Sequence, residues 1–137
     1  MNSIFVDTLF IIALVNPRDQ YHESALQLSQ VYESYPVLMT DCVFLEVGNA
    51  LARKFKMQAV DIIEEFRTSE EATIVPLTPL LFQKGFNLYK RHQDKSWGLV
   101  DCISFVVMEE VNIHSALTFD QHFVQAGYRA LMRESTI

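Results

Sequence analysis

Apolar residues recur along the chain with two periods, which predicts short strands alternating with amphipathic helices. Runs rich in β-branched and apolar residues predict strands at 3–6, 37–39, 72–77 and 114–118, with an edge strand at 128–132. Apolar residues three and four positions apart predict helices at 8–15, 17–35, 40–55, 58–68, 79–92, 99–111 and 120–125. This alternation favours an α/β fold, with a mostly parallel sheet between two helical layers.

Proline and capping residues indicate where two of these helices begin. Asn16 followed by Pro17 predicts the start of the second helix, because Asn caps helices well and Pro fits the first turn. Thr78 followed by Pro79 predicts the start of the fifth helix in the same way. Segment 99–111 carries too few charges for a surface helix, so we expect it to be buried.

Length and composition predict one domain, residues 1–137, because half of the 137 residues are apolar and such a chain can bury a real core. Cys42 and Cys102 form no metal-binding pattern, so we expect both to be reduced and buried. No apolar run is long enough to span a membrane, and no basic leader precedes the first apolar stretch. We therefore expect a cytoplasmic protein without a membrane segment.

The net charge of −6 argues against nucleic-acid binding driven by overall charge. The positions of the basic residues nevertheless leave local binding of nucleic acid open. Seven of the eleven Lys and Arg residues fall in segments 53–56 and 84–95, which predicts two local basic patches.

Four carboxylates lie in apolar surroundings where solubility does not require a charge. Asp7 ends the first strand, Asp120 follows the fourth strand, Glu46 lies inside an apolar helix, and Asp101 begins the buried helix. In open parallel sheets, the residues at the carboxyl ends of the strands converge on one crevice. We therefore expect the four side chains to meet there, with Asn49 and Arg53 on the same helix face as Glu46.

Carboxylates that meet in a crevice repel each other, and burying one without compensation costs several kcal/mol. Mg²⁺ or Mn²⁺ would neutralise such a cluster, because hard divalent ions prefer oxygen ligands. An ion held in this way supports hydrolysis or phosphoryl transfer, since it activates water and offsets phosphate charge.

Each acid also has a structural interpretation. Asp7, Asp101 and Asp120 are suited to cap the helices that they begin. Glu46 is equally compatible with a solvent-facing position on its helix.

Four segments together resemble the PIN-domain nucleases, in particular the VapC-like toxins of bacterial toxin-antitoxin systems. The matching segments are VDT at 6–8, LEVGNAL at 45–51, WGLVDCISF at 97–105 and ALTFDQHF at 116–123. The resemblance implies a three-layer α/β/α fold with strand order 3-2-1-4-5. It also implies that the metal-binding and catalytic acids are Asp7, Glu46, Asp101 and Asp120, supported by Thr8, Asn49 and Thr118.

The function implied by the resemblance is that of a ribonuclease dependent on Mg²⁺ or Mn²⁺, acting as a toxin with an antitoxin partner and as a homodimer. In this hypothesis the three Asp residues hold the ion, and Glu46 either binds it or accepts a proton from the attacking water. The basic residues Arg53, Arg91 and Lys95 are the candidates for contacts with RNA phosphates.

The chain departs from the family pattern at His122, where many members carry a further acid two residues after the last one. This departure weakens the expectation of a second metal ion. The four histidines show no ligand spacing, so none is assigned a role, and we expect His114 to be a core residue.

Two alternatives belong to other functional classes. One is a catalytically silent PIN-like binding domain, or an orphan without an antitoxin. The other is a phosphatase or receiver domain that also begins with an Asp after a strand. The second is disfavoured, because such proteins need further acids where this chain has Leu9, or Phe5 and Val6.

Overall fold

Five short strands lie side by side in one parallel sheet, in the order β3-β2-β1-β4-β5. The computed structural model describes residues 2–134. The strands are β1 (Ile4–Val6), β2 (Val37–Thr40), β3 (Ala72–Val75), β4 (Ser115–Leu117) and β5 (Arg129–Ala130). The predicted parallel sheet and its strand order are confirmed.

Within residues 2–134, seven α-helices connect and flank the strands, which gives the predicted three-layer α/β/α arrangement. They are α1 (Thr8–Val15), α2 (His22–Val31), α3 (Asp41–Ala50), α4 (Lys56–Thr68), α5 (Pro79–Arg91), α6 (Leu99–Glu110) and α7 (Gln121–Gln125), followed by a short 3-10 helix at Leu131–Arg133. None of these helices has the length and apolar character needed to cross a bilayer.

The prediction that the second helix begins at Pro17 is wrong. The Asn16 side chain accepts a hydrogen bond from the Arg18 N–H at 3.0 Å, and Asp19 accepts one from the Tyr21 N–H at 2.8 Å. These local bonds stabilise a turn that delays the helix to His22. The same residue types that cap helices therefore form a turn here.

Other predicted element ends also differ from the structure, including the end of the third helix and the length of the edge strand. The third helix ends at Ala50, and a turn over 51–54 reverses the chain so that α4 folds back, with Phe66 6.4 Å from Phe44 between ring centroids. The edge strand is shorter than 128–132 because the Met132 N–H donates to the Thr118 carbonyl at 3.0 Å, drawing the chain into a buried 3-10 turn.

The core lies on both sides of the sheet, and its largest fully buried side chains include Phe5, Ile11 and Phe123. Helix α6 is buried as predicted, and both cysteines are buried and free. Burial raises the pKa of the Cys102 thiol to about 11, so this thiol stays protonated at neutral pH. The expectation that His114 is a core residue is wrong, because its side chain is exposed.

Close packing of α5 on α6 depends on the absence of a side chain at Gly85. A Cβ at this position would lie 2.5 Å from Ile103 Cγ1 and 3.3 Å from Ile103 Cα. Because one of these neighbours is backbone, the clash cannot be relieved by a side-chain rotation alone.

We expect Gly85→Ala to lower the free energy of unfolding by about 1–3 kcal/mol, although Ala is the better helix former. The matched control is Gly48→Ala in α3, where an added Cβ meets no atom within 4 Å among the described residues. This control should leave stability unchanged or raise it by up to about 1 kcal/mol. Urea denaturation measures both changes, and equal effects of the two substitutions would contradict the packing argument.

Candidate active site

The four predicted acids lie at the carboxyl edge of the sheet, where adjacent parallel strands end. Asp7 directly follows β1, Asp120 precedes α7, Glu46 lies on α3, and Asp101 is in the first turn of α6. All four side chains line one open cleft of about 520 Å³. Thr8 and Asn49 line the same cleft, together with the apolar residues Leu9, Ile12 and Ala50.

Asp7 is the most buried of these acids, with 4% of its surface exposed. Its Oδ2 accepts a hydrogen bond of 2.8 Å from the hydroxyl of Thr118, which is itself fully buried. The pKa of Asp7 is raised to about 7, mainly by burial and also by the charges of Asp101 and Asp120, while the Thr118 bond acts in the opposite direction. The Asp7 side chain makes no capping bond to α1, so the capping interpretation does not explain its position.

Glu46 is an exposed residue of α3, and it lines the cleft. The Thr8 hydroxyl donates a 2.5 Å hydrogen bond to Glu46 Oε1. Partial burial raises the pKa of Glu46, and the Thr8 bond opposes that increase. A contact across 38 residues of sequence distinguishes Glu46 from an ordinary solvent-facing glutamate.

Asp101 and Asp120 do cap helices, and they face the cleft as well. Asp101 Oδ2 accepts the Gly98 N–H at 3.1 Å, and Asp120 Oδ1 accepts the His122 N–H at 2.9 Å. Burial raises the pKa of Asp101, and hydrogen bonds from His122 and Gly98 oppose this increase. The capping and cleft-lining interpretations are therefore compatible for both residues.

His122 contacts two of the cleft acids, although sequence reasoning assigned it no role. Its Nδ1 lies 3.1 Å from Asp101 Oδ2 and 3.4 Å from Asp120 Oδ1. Short-range spacing does not reveal this cluster, because Asp101 is distant in sequence. The available signal was the position of His122 in the first turn of a helix that begins at the carboxyl edge of the sheet.

The predicted RNA-binding residues lie outside the cleft lining. Arg53 is exposed in the turn after α3, and Lys95 is exposed in the loop before α6, with its Nζ 3.5 Å from Asp94 Oδ2. Arg91 ends α5 and lines a different cavity together with Trp97 and Glu109.

Comparison with known proteins places this architecture in a family. The PIN domain family matches residues 4–127, and the chain belongs to this family. It is similar to the curated protein "23S rRNA-specific endonuclease VapC20" of two Mycobacterium tuberculosis strains, CDC 1551 / Oshkosh and ATCC 25618 / H37Rv. The identity is 32% over 126 residues, which covers 91% of this chain and 95% of the relative.

The structural comparison agrees with the sequence comparison. The crystal structure of Mycobacterium tuberculosis VapC20, described as a Sarcin-Ricin loop cleaving toxin, superposes with a TM-score of 0.81. The two chains are 30% identical, with 91% of this chain and 95% of the other covered. The recognised resemblance to PIN-domain, VapC-like proteins is thereby confirmed.

The donor set of the cleft fits a divalent cation. Its carboxylate oxygens are the ligands that Mg²⁺ and Mn²⁺ prefer. Without a cation, burial and mutual repulsion favour the protonated form of Asp7, as its raised pKa shows. A cation near these oxygens would favour the charged form instead.

We expect Asp7→Asn to stabilise the metal-free protein at pH 8. The pKa of Asp7 is about 7 in the folded state against an ordinary value of 3.8, so the wild type loses stability as the pH rises through this range. The amide keeps an acceptor for Thr118 but carries no charge. From pH 5 to pH 8, the stability of the variant relative to the wild type should therefore increase by about 2.5 kcal/mol.

Urea denaturation in EDTA at several pH values measures this difference. Asp61→Asn, which alters an exposed acid on α4, is the control and should not change the pH dependence. An Asp7→Asn variant that is less stable than the wild type at pH 8 would show that the buried carboxylate of Asp7 does not destabilise the folded protein.

Proposed function

We propose that this protein is an endoribonuclease that hydrolyses RNA phosphodiester bonds with Mg²⁺ or Mn²⁺ and acts as the toxin of a toxin-antitoxin pair. The observation that carries the proposal is the convergence of four carboxylates from distant parts of the chain on one open cleft. Membership of the PIN-domain family and the similarity to VapC20 support it.

In this mechanism Asp7, Asp101 and Asp120 hold the ion, directly or through water. A bound ion supplies an activated water and offsets the charge of the phosphate in the transition state. Glu46 adds a ligand or accepts the proton of the attacking water. Burial and the charge of Asp101 raise the pKa of Glu46, which makes this carboxylate a stronger proton acceptor.

Two hydroxyl groups orient the acids. Thr118 donates to Asp7 Oδ2 and also accepts the Asp120 N–H at 3.0 Å, so one side chain positions two acids. Thr8 fixes Glu46 Oε1 in the same manner. Asn49, one turn beyond Glu46, offers an amide to the substrate or to water from the wall of the cleft.

Contacts with RNA phosphates are assigned to the basic residues that flank the cleft. Arg53 follows the end of α3, one turn beyond Asn49, and Lys95 is adjacent to Ser96, whose Oγ lies 3.3 Å from His122 Nε2. These positions support phosphate binding by Arg53 and Lys95. Arg91 lines a separate cavity and would contact only more distant phosphates.

The relative's specificity suggests ribosomal RNA as the substrate class. An antitoxin protein and a second copy of the chain are the further partners that we propose. The exposed apolar side chains of α5 offer them a surface, and include Leu80, Phe82, Phe86 and Tyr89. Buried free thiols fit a reducing cytoplasm, which we propose as the location.

We expect the wild-type protein with Mn²⁺ or Mg²⁺ to cleave a ribosomal RNA transcript, and excess EDTA to abolish cleavage. Asp7→Asn, Asp101→Asn and Glu46→Gln should each lower kcat by at least about 100-fold. Asp61→Asn is the matched control and should retain full activity. Single-turnover cleavage of labelled RNA measures these effects.

The same experiment tests the alternative of a silent binding domain. A folded wild-type protein that binds RNA but does not cleave it with either ion would support that alternative. Full activity of Asp7→Asn would also contradict the proposal, and loss of folding cannot explain inactivity if this variant is the more stable protein.

A further inference from the structure

His122 places an imidazole nitrogen among the carboxylates of the cleft, and the mechanism above does not use it. Its Nδ1 and one oxygen each from Asp101 and Asp120 all lie within 4.8 Å of one another. The Asp101, Asp120 and His122 side chains are about one fifth exposed, so an ion from solvent can reach the three groups.

The separations match those of atoms that share one metal ion. Ligands at about 2.1 Å from an ion lie about 3.0 Å apart in octahedral and about 3.4 Å apart in tetrahedral coordination. The Nδ1 atom of His122 lies 3.1 Å from Asp101 Oδ2 and 3.4 Å from Asp120 Oδ1. Small adjustments would therefore bring all three atoms to an ion between them.

The other ring nitrogen has a partner that is compatible with the tautomer required for metal binding. Nε2 lies 3.3 Å from Ser96 Oγ. When an ion binds, a proton on Nε2 would be donated to Ser96, and the Nδ1 lone pair would bind the ion in place of the hydrogen bond between Nδ1 and Asp101. Metal-binding imidazoles commonly donate their second N–H to such a partner, which orients the ring.

We propose that Asp101, Asp120 and His122 form a mixed nitrogen and oxygen metal site that selects Mn²⁺ over Mg²⁺. This inference rests on the proposed function. It adds His122 as a ligand and a preference for Mn²⁺ over Mg²⁺. Mg²⁺ favours oxygen donors and keeps its waters, whereas imidazole nitrogen favours transition ions. A histidine in place of the further acid that many family members carry therefore replaces an oxygen donor by nitrogen.

Electron spin-echo envelope modulation of the Mn²⁺-loaded protein tests the ligand directly, because a coordinated imidazole adds ¹⁴N modulation. We expect this signal in the wild type and its loss in His122→Asp and in His122→Ala. The matched control is His114→Ala, which removes an exposed imidazole outside the cluster of Asp101, Asp120 and His122 and should keep the signal. Competition between Mn²⁺ and Mg²⁺ should show that His122→Asp lowers the Mn²⁺ to Mg²⁺ affinity ratio about tenfold.

The outcomes separate this inference from the proposed function. Bound Mn²⁺ without ¹⁴N modulation, or modulation that persists in His122→Asp, would show that His122 only forms a hydrogen bond to the acids, and a metal-dependent nuclease would remain. A folded wild-type protein that binds no Mn²⁺ would overturn both. Circular dichroism establishes folding, and the two substitutions of His122 provide independent variants.

Discussion

Repulsion among carboxylates held in one cleft is the constraint that organises this site. Asp7 is nearly inaccessible to water and is hydrogen-bonded to a hydroxyl group rather than paired with a cation. Within residues 2–134, no Lys or Arg forms a salt bridge with any of the four acids. The fold therefore holds four carboxylates close together without a Lys or Arg partner among the described residues, and this arrangement favours binding of a cation.

The fold supports this cluster through the adjacent pair of parallel strands β1 and β4. Their register places Val6 beside Leu117, so that the chain leaves both strands at the same edge of the sheet. Thr118 links the two strand ends by its bonds to Asp7 and Asp120. Helices α3 and α6 then bring Glu46 and Asp101 to this edge, and the buried face of α6 anchors the second of these acids.

Much of the architecture could be predicted from the chain because strands and helices differ in hydrophobic period. The positions of Asp7 and Asp120 after strands predicted their meeting, since parallel strands end at a common edge. The order of the strands came from the resemblance to PIN domains and not from periodicity. The start of α2 was missed because Asn16 and Asp19 stabilise a turn with the same side-chain chemistry that caps a helix.

The cleft was harder to predict in its details. The proximity of His122 to Asp101 depends on how α7 packs beside α6, which local sequence does not encode. The exposure of His114 depends in the same way on where β4 begins relative to the sheet. The Thr8 to Glu46 bond likewise requires α1 and α3 to lie side by side.

Anomalous diffraction from crystals soaked in manganese tests the central claim most directly. The account predicts a manganese peak in the acidic cleft, with at least two oxygens of Asp7, Asp101 and Asp120 about 2.2 Å from it. Crystals in which the cleft carries no anomalous density, and in which each acid is held separately by an arginine or an amide, would contradict it.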